Sequence, residues 1–177
     1  MRVLVDATTL TAFGQIGETG LLGHLGGEID VIDSVRSEIT TEPARTNTRQ
    51  FCTSDDVVDE PLCSDDDSLH DTAAEILGEA ERNGDVAIFA AVLAAVRLLD
   101  RDVGVVSDDN RVRTVADGLG ATVTGTVGVV VRAVEERDMT AEAGKELIRR
   151  IDSHGLHMTG ELREKAYELV EDAGTTE

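Results

Sequence analysis

Apolar residues open the chain as an unbroken run, Val3-Leu4-Val5, closed by Asp6, and such a run predicts a buried central strand over residues 2–5. Residues 28–32, 103–107 and 121–124 have the same character and predict three further strands, with helical spacing between them. Residues 85–99 are apolar almost all round: Ile88, Val92, Ala95 and Leu99 share one face, Phe89 and Val96 lie beside it, and a buried helix follows. From 110 to 119, Val112, Val115, Ala116 and Leu119 recur at helical spacing, and Gly120 stands where a left-handed C-terminal cap falls. Thr140 precedes a helix carrying Leu147, Ile148 and Ile151 that ends near Gly155. Thr159 precedes another carrying Leu162, Ala166 and Leu169 that ends near Gly174.

Strands alternating with helices predict the α/β class, a parallel sheet covered by helices. A chain of 177 residues, 41% hydrophobic, can bury one sizeable core, so residues 1–177 read as a single domain with C-terminal helices at about 140–174. One stretch breaks the pattern. Between residues 40 and 70, Thr, Ser, Asp and both prolines dominate and neither period persists, which predicts a long acidic loop.

Charge changes the picture next. Thirty-six Asp and Glu against sixteen Lys and Arg leave a formal charge of -20, which excludes a basic nucleic-acid platform at low salt and an anionic membrane surface. Lys145 and Lys165 are the only lysines, and the aromatics are Phe13, Phe51, Phe89 and Tyr167. This composition resembles the cytoplasmic proteome of salt-loving archaea, where molar salt shortens the Debye length to about 3 Å and nearly screens carboxylate repulsion. No stretch approaches the roughly 18 apolar residues of a spanning helix, and the first residues do not form a signal peptide, so a cytoplasmic protein without membrane partners is expected. Cys52 and Cys63 are expected to be thiols. With His70 they lack the paired short intervals of a zinc site, and the four dispersed histidines suggest no nucleophilic triad.

Ligands of a parallel α/β sheet gather beyond the carboxyl ends of its strands. Asp6 ends the first strand there, and Asp108 and Asp109 end the third. Glu38 and Asp85 are expected early in helices bordering the same edge. So many acids in one place call for a counter-charge, and Mg²⁺ or Mn²⁺ is the economical one for oxygen ligands. Each acid also has a plainer reading: Asp85 and Asp109 as helix N-caps, Glu38 as a solvated helix residue. Arg111 and Arg113 follow the acid pair and are candidates to contact a substrate backbone. Gly125-Thr126-Val127-Gly128 opens a helix whose free N–H groups could hold phosphate, although Thr126 as a simple cap explains it more economically because the Lys and Ser or Thr of a P-loop are absent.

Four segments carry a family likeness: residues 3–10 (VLVDATTL), 31–39 (VIDSVRSEI), 83–88 (NGDVAI), and 105–116 (VVSDDNRVRTVA) continuing through Leu119-Gly120 to Gly125-Thr126-Val127-Gly128-Val129. In this order and spacing the chain resembles the PIN-domain nucleases, especially a prokaryotic branch described as predicted nucleic-acid-binding proteins. The resemblance implies a three-layer α/β/α fold whose acids hold Mg²⁺ or Mn²⁺ and cleave RNA by metal-assisted hydrolysis. Asp6, Glu38 and Asp85 take the first three acidic positions. The family pattern of strand, small hydroxyl residue, any residue, Asp selects Asp109 as the fourth, while Asp108 lies nearer the strand end. The insert at about 40–70 departs from a minimal PIN domain. The implied function is an endoribonuclease, either a toxin held by an antitoxin or an RNA-processing factor, with a homodimer as the common assembly. The alternative is a catalytically weak nucleic-acid- or protein-binding module on the same fold.

Overall fold

The computed structural model describes residues 1–58, 60, 62 and 66–175. Its centre is a four-stranded, all-parallel sheet of β1 (Arg2–Val5), β2 (Glu28–Asp30), β3 (Val103–Val106) and β4 (Thr122–Thr124), in the order β2-β1-β3-β4. In register, Leu4 lies between Asp30 and Val105, and Val106 lies beside Thr124. Val3, Leu4, Val5, Val105 and Val106 are almost wholly buried, as expected of central parallel strands covered on both faces.

The helices are α1 (Ala7–Ile16), α2 (Asp33–Glu38), α3 (Ala44–Phe51), α4 (Asp67–Leu77), α5 (Gly84–Leu93), α6 (Asn110–Gly118), α7 (Thr126–Glu135), α8 (Ala141–Ser153) and α9 (Gly160–Thr175), with a 3-10 stretch at Thr19–Leu25. Helix α5 packs with α2, α4 and α6. Helix α1 packs with α3 and α8, and α7, α8 and α9 pack on one another. The result is a PIN-like α/β/α arrangement. No described helix is long and apolar enough to cross a membrane.

Several expectations change. The second strand stops at Asp30 rather than 32, because Ile32 already flanks α2. The expected loop at 40–70 contains α3, whose buried stripe of Ala44, Thr48 and Phe51 follows i, i+4, i+7 but includes a threonine, so it escapes an apolar count. Gly14 permits the contact with α1, since a Cβ there would stand 2.9 Å from Ala44 Cα. Beyond α3 the chain runs along β2: Ile29 N–H donates to Asp56 O at 3.0 Å and Val58 N–H to Ile29 O at 2.9 Å. The buried Asp30 carboxylate accepts the Leu62 N–H at 3.0 Å. Cys52 is a free, half-buried thiol, and Cys63 lies outside the described residues.

The predicted helix over 85–99 becomes α5 followed by a π-helical turn, Ala94–Leu98. That wider turn shifts the angular register, and Leu98 and Leu99 emerge exposed. Gly120 adopts a φ of +96°, as a C-terminal cap requires. In α9, Ala166, Val170 and Ala173 are buried. Leu162 and Leu169, expected on that face with Ala166, are 50% and 39% exposed, because the smaller stripe is the one that meets α7 and α8.

Candidate active site

The site grows from four helix starts at the carboxyl edge of the sheet. Asp6 follows β1, extends the ladder through its N–H to Val106 O at 3.0 Å, and caps α1 by accepting the Thr9 N–H at 2.6 Å. It is 4% exposed. Burial raises its pKa above the usual carboxylate range, hydrogen bonds from Ser107 and Thr9 pull it back, and the nearby Asp108 charge pushes it up again. Ser107, wholly buried at the end of β3, also accepts the Asp109 N–H at 3.1 Å, so one hydroxyl ties both strand-end acids together.

Asp109 is the N-cap of α6. Its Oδ1 accepts the N–H groups of Arg111 at 2.7 Å and Val112 at 3.1 Å. Asp108 turns instead to α7, accepting the Thr126 N–H at 3.0 Å on one oxygen and the Thr126 hydroxyl on the other. Gly125 makes this approach possible, since a Cβ there would lie 2.5 Å from Asp108 Oδ1. The two candidates for the fourth acid therefore serve different helices.

Glu38 is the last residue of the six-residue α2 rather than an early one, because that helix begins at Asp33. From there its Oε1 accepts the Gly84 N–H at 2.6 Å, at the start of α5. A Cβ on Gly84 would meet the two Glu38 oxygens at 2.9 and 3.0 Å, so the glycine makes room for the carboxylate. The cap of α5 is Asn83, which accepts the Val86 N–H at 2.9 Å. That removes the N-cap reading of Asp85, which sits in the first turn.

Asp85 differs from its neighbours. Asp6, Glu38, Asp108 and Asp109 each hold an N–H of a helix start, where the dipole favours negative charge. The half-buried Asp85 carboxylate receives no hydrogen bond from a described residue. Its pKa is raised first by burial, then by the charges of Asp6, Glu38 and Asp109, with Arg111 opposing. These charge interactions place Asp85 in one electrostatic neighbourhood with Asp6, Glu38 and Asp109. Glu38 also lines a cleft of about 280 Å³ with the start of α1, at Ala7, Thr8 and Thr11, and the α8–α9 connection at His154 to Leu156.

The expected substrate contacts divide. The Arg111 guanidinium is engaged by Leu77 O at 2.6 Å and Glu79 at 2.7 Å, which ties α6 to the end of α4. The Thr126 side chain is buried and its hydroxyl donates to Asp108; it is not the cap expected of it, because α7 begins at Thr126 with Gly125 in the cap position and no side-chain cap bond. The Arg113 guanidinium is exposed and makes no ion pair with a described residue. Ser107, Asn83 and Gly84 complete the site. Ser107 was visible only through the spacing pattern, and Asn83 and Gly84 only as the two residues before Asp85.

The donor set is all oxygen, which suits Mg²⁺ or Mn²⁺; burial is the first cause of the raised pKa values of Asp6 and Asp85, and neighbouring carboxylates add to it. As the side chains stand, no group of three or more described His, Cys, Asp or Glu residues is arranged to hold a metal ion.

A parallel sheet with acids on helix starts at its carboxyl edge defines the class: a PIN-like α/β/α fold, of the nuclease type. The family model described as "DUF3368: PIN domain" matches residues 2–172, and the chain belongs to that family, whose domains are generally nucleases, acting on nucleic acid and using divalent metals. Among curated proteins and among solved structures, nothing matches the chain.

Proposed function

We propose that the protein is a Mg²⁺- or Mn²⁺-dependent endoribonuclease of the cytoplasm that hydrolyses RNA phosphodiester bonds, acting as a toxin held by an antitoxin or as an RNA-processing factor, in a homodimer. The observation that carries this reading is Asp85, a carboxylate without a hydrogen-bond donor among the described residues, in the field of three other acids. The other three accept N–H groups of helix starts; Asp85, in the first turn of α5, has the helix dipole but no hydrogen bond from a described residue, and a cation would supply the missing counter-charge.

Asp6, Glu38, Asp85 and Asp109 are the residues that would hold the ion. Asp109 is favoured over Asp108 because both oxygens of Asp108 are taken by Thr126. A bound divalent ion supplies charge neutralisation for the scissile phosphate and a lowered pKa for the attacking water. The chain's own contribution is rigidity: Ser107 fixes the spacing of Asp6 and Asp109, and Gly84 fixes Glu38. Arg113 is the side chain available to receive a backbone phosphate.

The test is Asp6→Asn, which keeps an acceptor for Thr9 and loses the charge. Wild-type protein should cut RNA with Mn²⁺ and not with chelator, and Asp6→Asn should abolish cutting with an unchanged circular dichroism spectrum. Wild-type activity in the variant sinks the assignment. The alternative, a catalytically weak binding module, is favoured by one observation, the absence of a pre-arranged metal group among the described residues. Metal-independent RNA binding without turnover would select it. Growth arrest on expression without the neighbouring gene would separate a toxin from a processing factor.

A further inference from the structure

A second groove, of about 580 Å³, runs from Asp108 and Asn110 past β4 and the start of α7 to the outer face of α9. It falls in the range of roughly 300–1,000 Å³ typical of sites for small organic groups. Leu156 lines both this groove and the cleft that contains Glu38, so the two meet at the α8–α9 connection.

Its chemistry is unusual for a chain of charge -20. Arg113, Lys165 and His157 all line it. Lys165 is one of two lysines in the chain, and its described partner is the exposed Glu168 at 3.2 Å. The acid on the wall, Asp108, has both oxygens bonded to Thr126. Flanking Lys165 on the same helix lie Leu162 and Leu169, the large apolar side chains that α9 leaves exposed while packing through Ala166 and Val170. Cations beside an apolar surface, continuous with the cleft that holds Glu38, match a phosphate with an attached planar base.

We infer that this groove holds a nucleotide flanking the cut position, its phosphate on Arg113 and Lys165 and its base against Leu162 and Leu169. The inference rests on the ribonuclease reading above and adds a positioning surface made by the C-terminal helices. A substrate strand crossing the acids would pass Leu156 and be held in register by α9.

The test uses full-length protein in chelator, where nothing is cut, at a salt concentration that circular dichroism shows to keep the fold. Binding of a fluorescein-labelled single-stranded RNA of about ten nucleotides is followed by anisotropy. Lys165→Glu and Leu162→Asp, both at exposed positions, should each weaken binding about tenfold, the loss of one charge-assisted contact or of one apolar contact with a base. Arg101→Glu makes the same charge change just before β3, at the opposite edge of the sheet, and should stay within about twofold if local contact rather than the overall field decides. Equal losses for Lys165→Glu and Arg101→Glu would overturn the inference. So would no loss for Lys165→Glu, including the case where that variant instead alters self-association in sedimentation, or no RNA binding by wild type. Cleavage in Mn²⁺ is read separately: RNA that binds through Lys165 and is never cut removes the nuclease assignment and leaves the groove.

Discussion

Asp85→Asn should stabilise the metal-free protein. Asp85 feels the charges of Asp6, Glu38 and Asp109, gains no hydrogen bond from a described residue in return, and is opposed by an Arg111 already engaged with Glu79. A like-charge neighbour of a half-exposed carboxylate costs on the order of 1 kcal/mol or less once solvent screening is counted. Three such neighbours, less the Arg111 attraction, leave about 1–2 kcal/mol. For a chain of this size that is a rise in Tm of about 3–6 °C. The pH dependence has a definite sign. Asp6 and Asp85 have pKa values raised in the folded state, so they bind protons more tightly folded than unfolded. The contribution of these two groups to stability in chelator should therefore rise as pH falls from 7 through the raised values and be complete below the unfolded value of about 3.9, against the opposite trend from Glu42, Asp66, Glu136 and Asp152, whose pKa values are lowered, so the comparison is read as wild type minus variant. Asp85→Asn should show a smaller rise. Calorimetry in chelator and again in Mn²⁺ reads both effects. An ion at 100 times its Kd adds about 2.7 kcal/mol to whichever protein binds it, so Mn²⁺ should put wild type above the variant. A variant that melts at or below wild type in chelator refutes the repulsion argument, and equal Mn²⁺ shifts refute Asp85 as a ligand.

Gly84→Ala should displace the Glu38 carboxylate, whose oxygens would lie 2.9 and 3.0 Å from the new methyl, and cut turnover more than about tenfold; steady-state kinetics beside a melting curve would show whether activity falls further than stability. Asp109→Ala should lose the α6 cap and about 1 kcal/mol, whereas Asp109→Asn keeps an acceptor for Arg111 and Val112 and should melt near wild type, both variants being inactive in the RNA assay. Cleavage should rise between about 0.1 M and molar monovalent salt, as the field of a -20 chain is screened from about 10 Å to about 3 Å, with circular dichroism at each point; a steady fall in a chain folded throughout would contradict this.

The sheet was legible because buried parallel strands need little beyond local apolar runs, and Val3-Leu4-Val5 and Val103-Gly104-Val105-Val106 supply them. Helix α3 was not, since Thr48 takes the middle of its buried stripe and its partner, Gly14, is thirty residues away from Ala44 in sequence. The acids could be named from their order along the chain. Their partners could not: which of Asp108 and Asp109 turns to α7, and that Arg111 is drawn off by Leu77 and Glu79, depend on contacts between distant segments. The groove on α9 was hidden for a related reason. Leu162, Ala166 and Leu169 have the spacing of a core face, and only the packing of α9 through Ala166, Val170 and Ala173 reveals that the leucines lie outside it.

The double employment of Asp6 and Asp109 as caps and as candidate metal ligands bears on how this domain can change over generations. A cap needs an acceptor oxygen and is indifferent to charge, so asparagine serves it almost as well as aspartate. Holding a cation depends on the charge. One nucleotide change, from an Asp to an Asn codon, can therefore silence the chemistry while the helix starts stay pinned and the chain still folds. Inert descendants of such a domain can stay as stable as their parent and be recruited for binding alone, whereas loss of the same oxygens to alanine would add about 1 kcal/mol of destabilisation at each cap to the loss of chemistry.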